Sequence, residues 1–289
     1  MIMYALYRVG YFFAMIMPVK VSYGLAYIIA HGCYFFCSMA RRSVISNLKI
    51  VTGNGRSEKE LKQMARRVFI NFAKYLADFF RFSKFDKEYI KKMVVLEGLD
   101  NIDEGLSRGK GVIALSAHLG NWELGGIVLA RLRSPLSAVA LSHSNKRIDD
   151  LFTRQRGLTG LKSIPIGMAL RGCFEALKNN GLLALLGDRD FSRNGIYTPF
   201  FGHPAFIPKG PAVFSYRIGS AIVPTFMVRE KDDTFRFIFD KPIYPDMRLD
   251  EETCIKAMME KYSGIIEFYV KRYPDQWYMF REVWGGNGK

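Results

Sequence analysis

Residues 111–117, GVIALSA, form a short uncharged run entered from a glycine, and residues 182–187, LLALLG, repeat that character. Runs this short and this apolar read as buried strands. Residues 221–228 and 234–240 read as further strands. Helical spacing surrounds them. In residues 57–82 apolar side chains recur at Leu61, Met64, Val68, Phe72 and Phe79, behind a capping box of Ser57 and Glu60. Residues 168–178 read as a helix closed by Asn179, Asn180 and Gly181, residues 211–218 as another, and residues 251–273 carry Ile255, Met259, Tyr262, Ile266 and Tyr269 on one face. Strands alternating with helices predict a layered α/β domain whose functional loops sit at strand ends. No linker, internal repeat or low-complexity segment divides the chain.

Chemistry-bearing residues begin where the first run stops. His118 follows the apolar run at once, and Gly120, Asn121, Trp122 and Glu123 lead into the next helix. A histidine and a carboxylate sharing a strand-to-helix turn suit general-base catalysis. An imidazole titrating near neutrality takes a hydroxyl proton, and a carboxylate on its other nitrogen fixes the tautomer and stabilises the imidazolium. Amides at the helix start offer a place for a developing oxyanion. The spacing alone recurs by chance in roughly one such chain in three, so its surroundings decide its weight. No G-x-S-x-G elbow makes Ser116 a hydrolase nucleophile, no H-E-x-x-H binds zinc, and no G-x-x-x-x-G-K-[ST] cradles a nucleotide. What remains is direct attack by a bound hydroxyl.

The net charge of +15 favours polyanionic partners: nucleic acid, anionic lipid or an acidic carrier protein. No nucleic-acid-reading motif is present. Cys33, Cys37, Cys173 and Cys254 lack the spacing of a zinc site or a disulfide framework, so no metal is expected and the thiols are read as reduced.

Residues 21–40 contain no Asp, Glu, Lys or Arg. As one helix they would measure about 30 Å, enough to cross a bilayer core. Arg41 and Arg42 follow the run at once, while Arg8 and the interrupting Lys20 precede it; the adjacent arginine pair is read by the positive-inside rule as leaving the bulk of the chain in the cytoplasm. His31, Gly24, Gly32 and several tyrosines dilute the run, so a helix lying in the interface or packed against the domain competes with a span. Membrane attachment is the expectation, with depth left open.

Successive blocks along most of the chain are similar to the bacterial lipid A biosynthesis acyltransferases, the late lauroyl and myristoyl transferases, within the wider glycerolipid acyltransferase group that uses H-x4-[DE]. They are RRSVISNL from Arg41, VFINFAKYLAD from Val68, GKGVIALSAHLGNWELGG from Gly109, GDRDFSRNGIYTPFFGHPAFIPKGPA from Gly187, IVPTF from Ile222 and PDQWYMFREVW from Pro274. The resemblance implies a central mixed sheet flanked by helices, with a membrane-associated helical segment over residues 1–40 and an acyltransferase domain over residues 41–289. It implies transfer of an acyl chain from acyl carrier protein or coenzyme A to a hydroxyl of a saccharide lipid, at the cytoplasmic face of the bacterial inner membrane, with the thioester as co-substrate and no separate cofactor.

Carried onto this chain, the resemblance makes His118 the base and Glu123 its orienter, with Asn121 beside them on the substrate side. It places an assisting arginine in RQRGLTG, where Arg156 is preferred to Arg154. It puts an acid pair, Asp188 and Asp190, at a strand end, with Arg189 between them tuning substrate preference. The segment PFFGHPAFIPKGP stands where the wider group binds its acceptor: Lys209 is a candidate contact, and Phe200, Phe201, Pro204 and Phe206 are candidates to line an acyl channel. His203 is read as a loop residue. Two other readings stay open: an acyltransferase with a different glycolipid or lysophospholipid acceptor, and a non-catalytic basic membrane-binding protein.

Overall fold

The computed structural model describes residues 2–53, 55–133, 135–140, 145–157, 160–190 and 195–284. The parts of the quoted segments at 158–159 and 191–194, and the last five residues of the expected domain, lie outside them.

The strands are β1 (Val94–Glu97), β2 (Val112–Ser116), β3 (Leu136–Ala140), β4 (Lys162–Pro165), β5 (Leu182–Leu186), β6 (Ile196–Phe200), β7 (His203–Ile207), β8 (Ala221–Arg229) and β9 (Phe235–Phe239). Seven of them form one sheet in the order β1-β9-β8-β2-β5-β3-β4. From β8 to β4 the neighbours are parallel, while β9 runs antiparallel to β8 and carries β1 parallel to itself. The mixed sheet expected from the resemblance is therefore present.

The helices are α1 (Ile2–Ile16), α2 (Val19–Phe36), α3 (Ser38–Thr52), α4 (Glu58–Phe80), α5 (Lys87–Met93), α6 (Asp100–Ser107), α7 (Trp122–Leu132), α8 (Lys146–Gly157), α9 (Ala169–Lys178), α10 (Gly210–Ile218) and α11 (Glu251–Arg272). Alternation along β2 divides the core between them. Ile113 and Leu115 join a cluster with side chains of α9, α10 and α11, whereas Val112 and Ala114 join one with side chains of α4 and α7. Ile113 and Leu115 are fully buried, a gain of roughly 1.5–3 kcal/mol each. The capping box predicted for α4 forms: Ser57 Oγ accepts from Glu60 N at 3.3 Å and Glu60 Oε2 accepts from Ser57 N at 2.9 Å.

The uncharged N-terminal run does not make one straight helix. α2 stops at Phe36, the chain turns at Cys37, and α3 leaves at 93° to it. Arg41 is one reason: its guanidinium donates to the carbonyls of Tyr34 and Phe35 at 2.8 and 2.9 Å, supplying partners to groups that a helix end leaves without any. The residue read from sequence as a flank of the run also caps the end of α2. Among the described residues no single helix is long and apolar enough to cross a membrane, although the bent α2–α3 pair passes by length and composition. α2 buries Ser22, Tyr23, Ala26 and Ala30 and leaves Tyr27, Ile28, Ile29, Phe35 and Phe36 exposed. Packing against α4 thus covers one side of it and leaves an apolar side open.

Candidate active site

Strand register builds the centre. β2 and β5 pair from Val112↔Leu182 to Ser116↔Leu186, so the positions two residues further on, His118 and Asp188, emerge side by side. His118 Nδ1 lies 2.8 Å from Asp188 Oδ1, and the His118 amide donates to Oδ2 of the same carboxylate at 2.8 Å. The Trp277 indole N–H adds a third bond, to Oδ2 at 3.0 Å. Burial alone would push the Asp188 carboxyl up. The charge of His118 and these hydrogen bonds outweigh it and hold the group below the ordinary carboxylate range. An ionised Asp188 fixes the proton on Nδ1 and presents Nε2 as the basic nitrogen.

The expected orienter, Glu123, has another partner. Arg156 Nε donates to Glu123 Oε2 at 3.0 Å and Arg156 Nη2 donates to Oε1, a two-armed pair between α8 and the first turn of α7. Burial works against the Arg156 charge, but Glu123 outweighs it and raises the guanidinium above its ordinary value. The resemblance placed Glu123 on the imidazole, and the structure puts Asp188 there. Two strand ends can align side chains in register, whereas Glu123 has already entered the helix.

The turn between them is clamped on several sides. Gly120 has φ +63°, and a Cβ there would stand 2.0 Å from the Met227 carbonyl, so only glycine fits. Gly120 N donates to Gln276 O at 2.9 Å, Asn121 N to Met227 O at 2.7 Å, and Tyr278 N to His118 O at 2.9 Å. Asn121 caps α7, accepting from Leu124 N at 3.1 Å, while its amide donates to Asp78 at 2.9 Å. Its side chain is therefore held within the fold, and Asn121, expected on the substrate side, is not among the residues lining the cavity described next. The Gly120, Asn121 and Leu124 amides are likewise bonded within the protein, which removes them as oxyanion donors.

A cavity of about 1190 Å³ opens over this corner. His118, Glu123, Arg156, Arg189, Asp190 and Lys209 all line it. Its walls are otherwise mostly apolar and come from both sides of the sheet: Ala114, Ala138, Ala184 and Phe152 on one, Cys173, Phe214 and Ile255 on the other. Leu185 and Leu186, on a central strand covered by helices, stay only partly buried because the cavity runs beside them. Asp190 Oδ2 accepts from Gly195 N at 2.9 Å. Arg189 is pushed below the ordinary arginine value by burial and by the nearby charge of Arg281. Among the described residues, no group of three or more His, Cys, Asp or Glu is arranged to hold a metal ion.

The aromatic candidates fall elsewhere. β6 and β7 form a hairpin whose two-residue turn is Phe201-Gly202, with φ of 53° and 76°. Phe201 packs on Trp277 and Trp284, and Phe200 is fully buried against Trp284. Phe206 stacks edge-on with Tyr197, and His203 sits on β7 rather than in a loop. None of Phe200, Phe201, Pro204 and Phe206 lines the cavity; Phe200 and Phe201 pack against the C-terminal segment, and Phe206 against Tyr197. Sequence reasoning passed over Trp277, Asp78 and Arg229. The signal available for Trp277 was its place in the matched block PDQWYMFREVW.

A histidine held by a buried carboxylate at the strand ends of an α/β sheet, facing a largely apolar cavity, is an arrangement that suits a general base working on a substrate with an apolar part. The family description "bacterial lipid A biosynthesis acyltransferase" matches residues 1–285, and the chain belongs to that family and is an O-acyltransferase. It is similar to a phosphatidylinositol mannoside acyltransferase of Mycobacterium tuberculosis (25% identical over 223 residues, 74% of this chain and 68% of the relative). It is also similar to a lipid A biosynthesis palmitoleoyltransferase of Escherichia coli (30% identical over 190 residues, 65% and 60%). A lipid A biosynthesis acyltransferase of Haemophilus influenzae is 23% identical over 225 residues, 76% and 68%.

Proposed function

We propose that this enzyme transfers a fatty acyl group from acyl carrier protein or coenzyme A to a hydroxyl of a saccharide lipid, of the lipid A precursor or mannosylated phosphoinositide kind. The observation that carries the reading is the His118–Asp188 pair opening on an apolar cavity of about 1190 Å³, larger than a small polar substrate requires. Nε2 of His118 takes the hydroxyl proton as the oxygen attacks the thioester carbonyl. The C–S bond then breaks, and the leaving thiolate takes the proton from the imidazolium. Glu123 and Arg156, bonded to each other, both line the cavity, where Arg156 brings a cation to phosphate groups of the lipid or donor.

The apolar face of α2 and the net charge of +15 support seating on an anionic membrane, which we place at the cytoplasmic face of the inner membrane, where acyl thioesters are available. The same charge supports docking of an acidic carrier. Purified enzyme is to be incubated with palmitoyl-CoA or palmitoyl carrier protein and a panel of lipid A precursors, mannosylated phosphoinositides and lysophospholipids, with products identified by mass spectrometry. An ester on a saccharide lipid, lost in His118→Ala, is the expected result. Product confined to lysophospholipids, or turnover unchanged in His118→Ala, overturns the reading.

A further inference from the structure

Behind the catalytic turn lies a buried polar cluster built from four separate elements. Asp78, at the end of α4, is fully buried. Its carboxylate accepts from Tyr23 of α2 at 2.5 Å, from Asn121 at 2.9 Å and from the guanidinium of Arg229 on β8. Arg229 also donates to the Tyr23 hydroxyl at 3.1 Å.

A buried ion pair is a poor source of stability, because desolvating both charges offsets most of their attraction. What such a cluster does well is fix geometry, since each partner has one place to stand. Asn121 is where this matters. One side-chain atom sets the start of α7 and the other is bonded to Asp78, and the residue lies three positions after His118 and two before Glu123. Tyr23 belongs to the helix whose outer side is the exposed apolar face.

We propose that Asp78 is a positioning residue for the His118–Glu123 turn, acting through Asn121, and that Tyr23 links the seating of the N-terminal helices to the geometry of that turn. The Tyr23 hydroxyl orients the Asp78 carboxylate, the carboxylate fixes the Asn121 amide, and the amide sets the first turn of α7. Only the kinetic arm of the following test rests on the acyl-transfer reading.

Tyr23→Phe removes one hydroxyl and no charge. Asn121→Ser keeps a capping oxygen and removes the amide that reaches Asp78. Tyr34→Phe, on the same helix but bonded to the Lys62 carbonyl, is the control. Acyl-transfer kinetics and amide hydrogen exchange of the peptide covering residues 117–125 are measured on all of them. Tyr23→Phe is expected to lower kcat roughly three- to tenfold at unchanged donor KM and to speed exchange in that peptide, while Tyr34→Phe does neither. The Tyr23→Phe/Asn121→Ser double variant is expected to be no slower than Asn121→Ser alone, because both act through one carboxylate. Wild-type kcat and wild-type exchange in Tyr23→Phe, even with a lowered melting temperature, overturn the proposal, as do losses that multiply in the double variant. If the wild-type enzyme transfers no acyl group while exchange in the turn still responds to Tyr23→Phe, the coupling stands and the functional reading falls.

Discussion

Nδ1 of His118 lies 2.8 Å from Oδ1 of Asp188, and the two residues occupy equivalent positions two steps beyond the paired ends of neighbouring parallel strands. The sequence carries the same relation: GVIALSAH from Gly111 and GLLALLGD from Gly181 align residue for residue. Gly187 N donates to Ser116 O at 2.8 Å, which extends the ladder past β5 and holds both side chains to one register. Two carboxylates therefore divide the work: Asp188 holds the imidazole, and Glu123 engages Arg156.

Replacing Asp188 by Asn is expected to lower kcat by about 10²–10⁴ with little change in donor KM. The amide offers one acceptor to three N–H donors, and its NH2 turned toward Nδ1 would move the imidazole proton to Nε2, abolishing the base. Steady-state kinetics on purified Asp188→Asn and Glu123→Gln decides between orienters. A loss below tenfold in Asp188→Asn would return that role to Glu123.

Stability should respond to acid through the same residue. The folded Asp188 carboxyl sits below its unfolded value of ~3.9, so the folded state favours its ionised form. Its contribution is fully present above about pH 5 and is lost as pH falls through the unfolded value toward the depressed folded one. Urea midpoints of wild type and Asp188→Asn are expected to differ most at pH 6 and to draw together as pH falls below about 4. A gap that stays constant over that range would mean Asp188 is not held ionised.

The Arg156–Glu123 pair should tolerate neither a changed shape nor a missing partner. Arg156→Lys keeps the charge but cannot reproduce the two-armed contact, and kcat is expected to fall about tenfold or more. Arg156→Met takes the fork away from a carboxylate only 13% exposed and is expected to cost about 3–5 kcal/mol in chemical denaturation. Adding Glu123→Gln to Arg156→Met should recover part of that stability and none of the activity.

How much of this was legible beforehand depended on whether a signal was local. The strands β2, β5 and β8 announce themselves as apolar runs, and α4 announces its own start through Ser57 and Glu60. β3 and β4 are short and mixed in character, LSAVA and KSIP, and become strands because β5 supplies the edge that β3 pairs with and β3 in turn supplies the edge for β4. His203 reads as a loop residue in a segment punctuated by Pro199 and Pro204, yet these two prolines face each other in a two-stranded ribbon that tolerates them. His118 and Glu123 are visible because they are five positions apart, whereas Asp188, seventy positions from His118, is placed by the sheet. The break at Cys37 was hidden for the opposite reason: composition reports an uncharged run and is silent on whether it stays straight.

Membrane seating through α2 makes its own prediction. Phe35 and Phe36 are 71% and 81% exposed, so charging them should leave the fold intact. Each phenyl group withdrawn from an apolar interface costs roughly 1.5–3 kcal/mol, about a tenfold loss of partitioning or more. Phe35→Glu/Phe36→Glu is expected to remain in the supernatant when sedimented with anionic vesicles that carry down wild type. Co-sedimentation equal to wild type would place the membrane contact elsewhere.

Acyl-chain preference should be set on the floor of the cavity. Ala184 pairs with Ala114 on one side and Ala138 on the other, a row of three small residues in register across adjacent strands. All three line the cavity, on the same side of the sheet as Phe152 and Leu161. Larger side chains in that row would fill the space between the strands and α7. Each methylene gained or lost in an apolar pocket shifts discrimination by ~1–3 kcal/mol, or ~10–200-fold. Ala184→Leu is therefore expected to depress kcat/KM for palmitoyl thioesters at least tenfold relative to decanoyl thioesters while leaving the His118–Asp188 pair in place. The check is a competition between the two donors, with both products resolved by mass spectrometry. An unchanged product ratio would place the acyl chain on the other side of the sheet, beside Cys173 and Phe214, where Cys173→Leu becomes the variant expected to shift it.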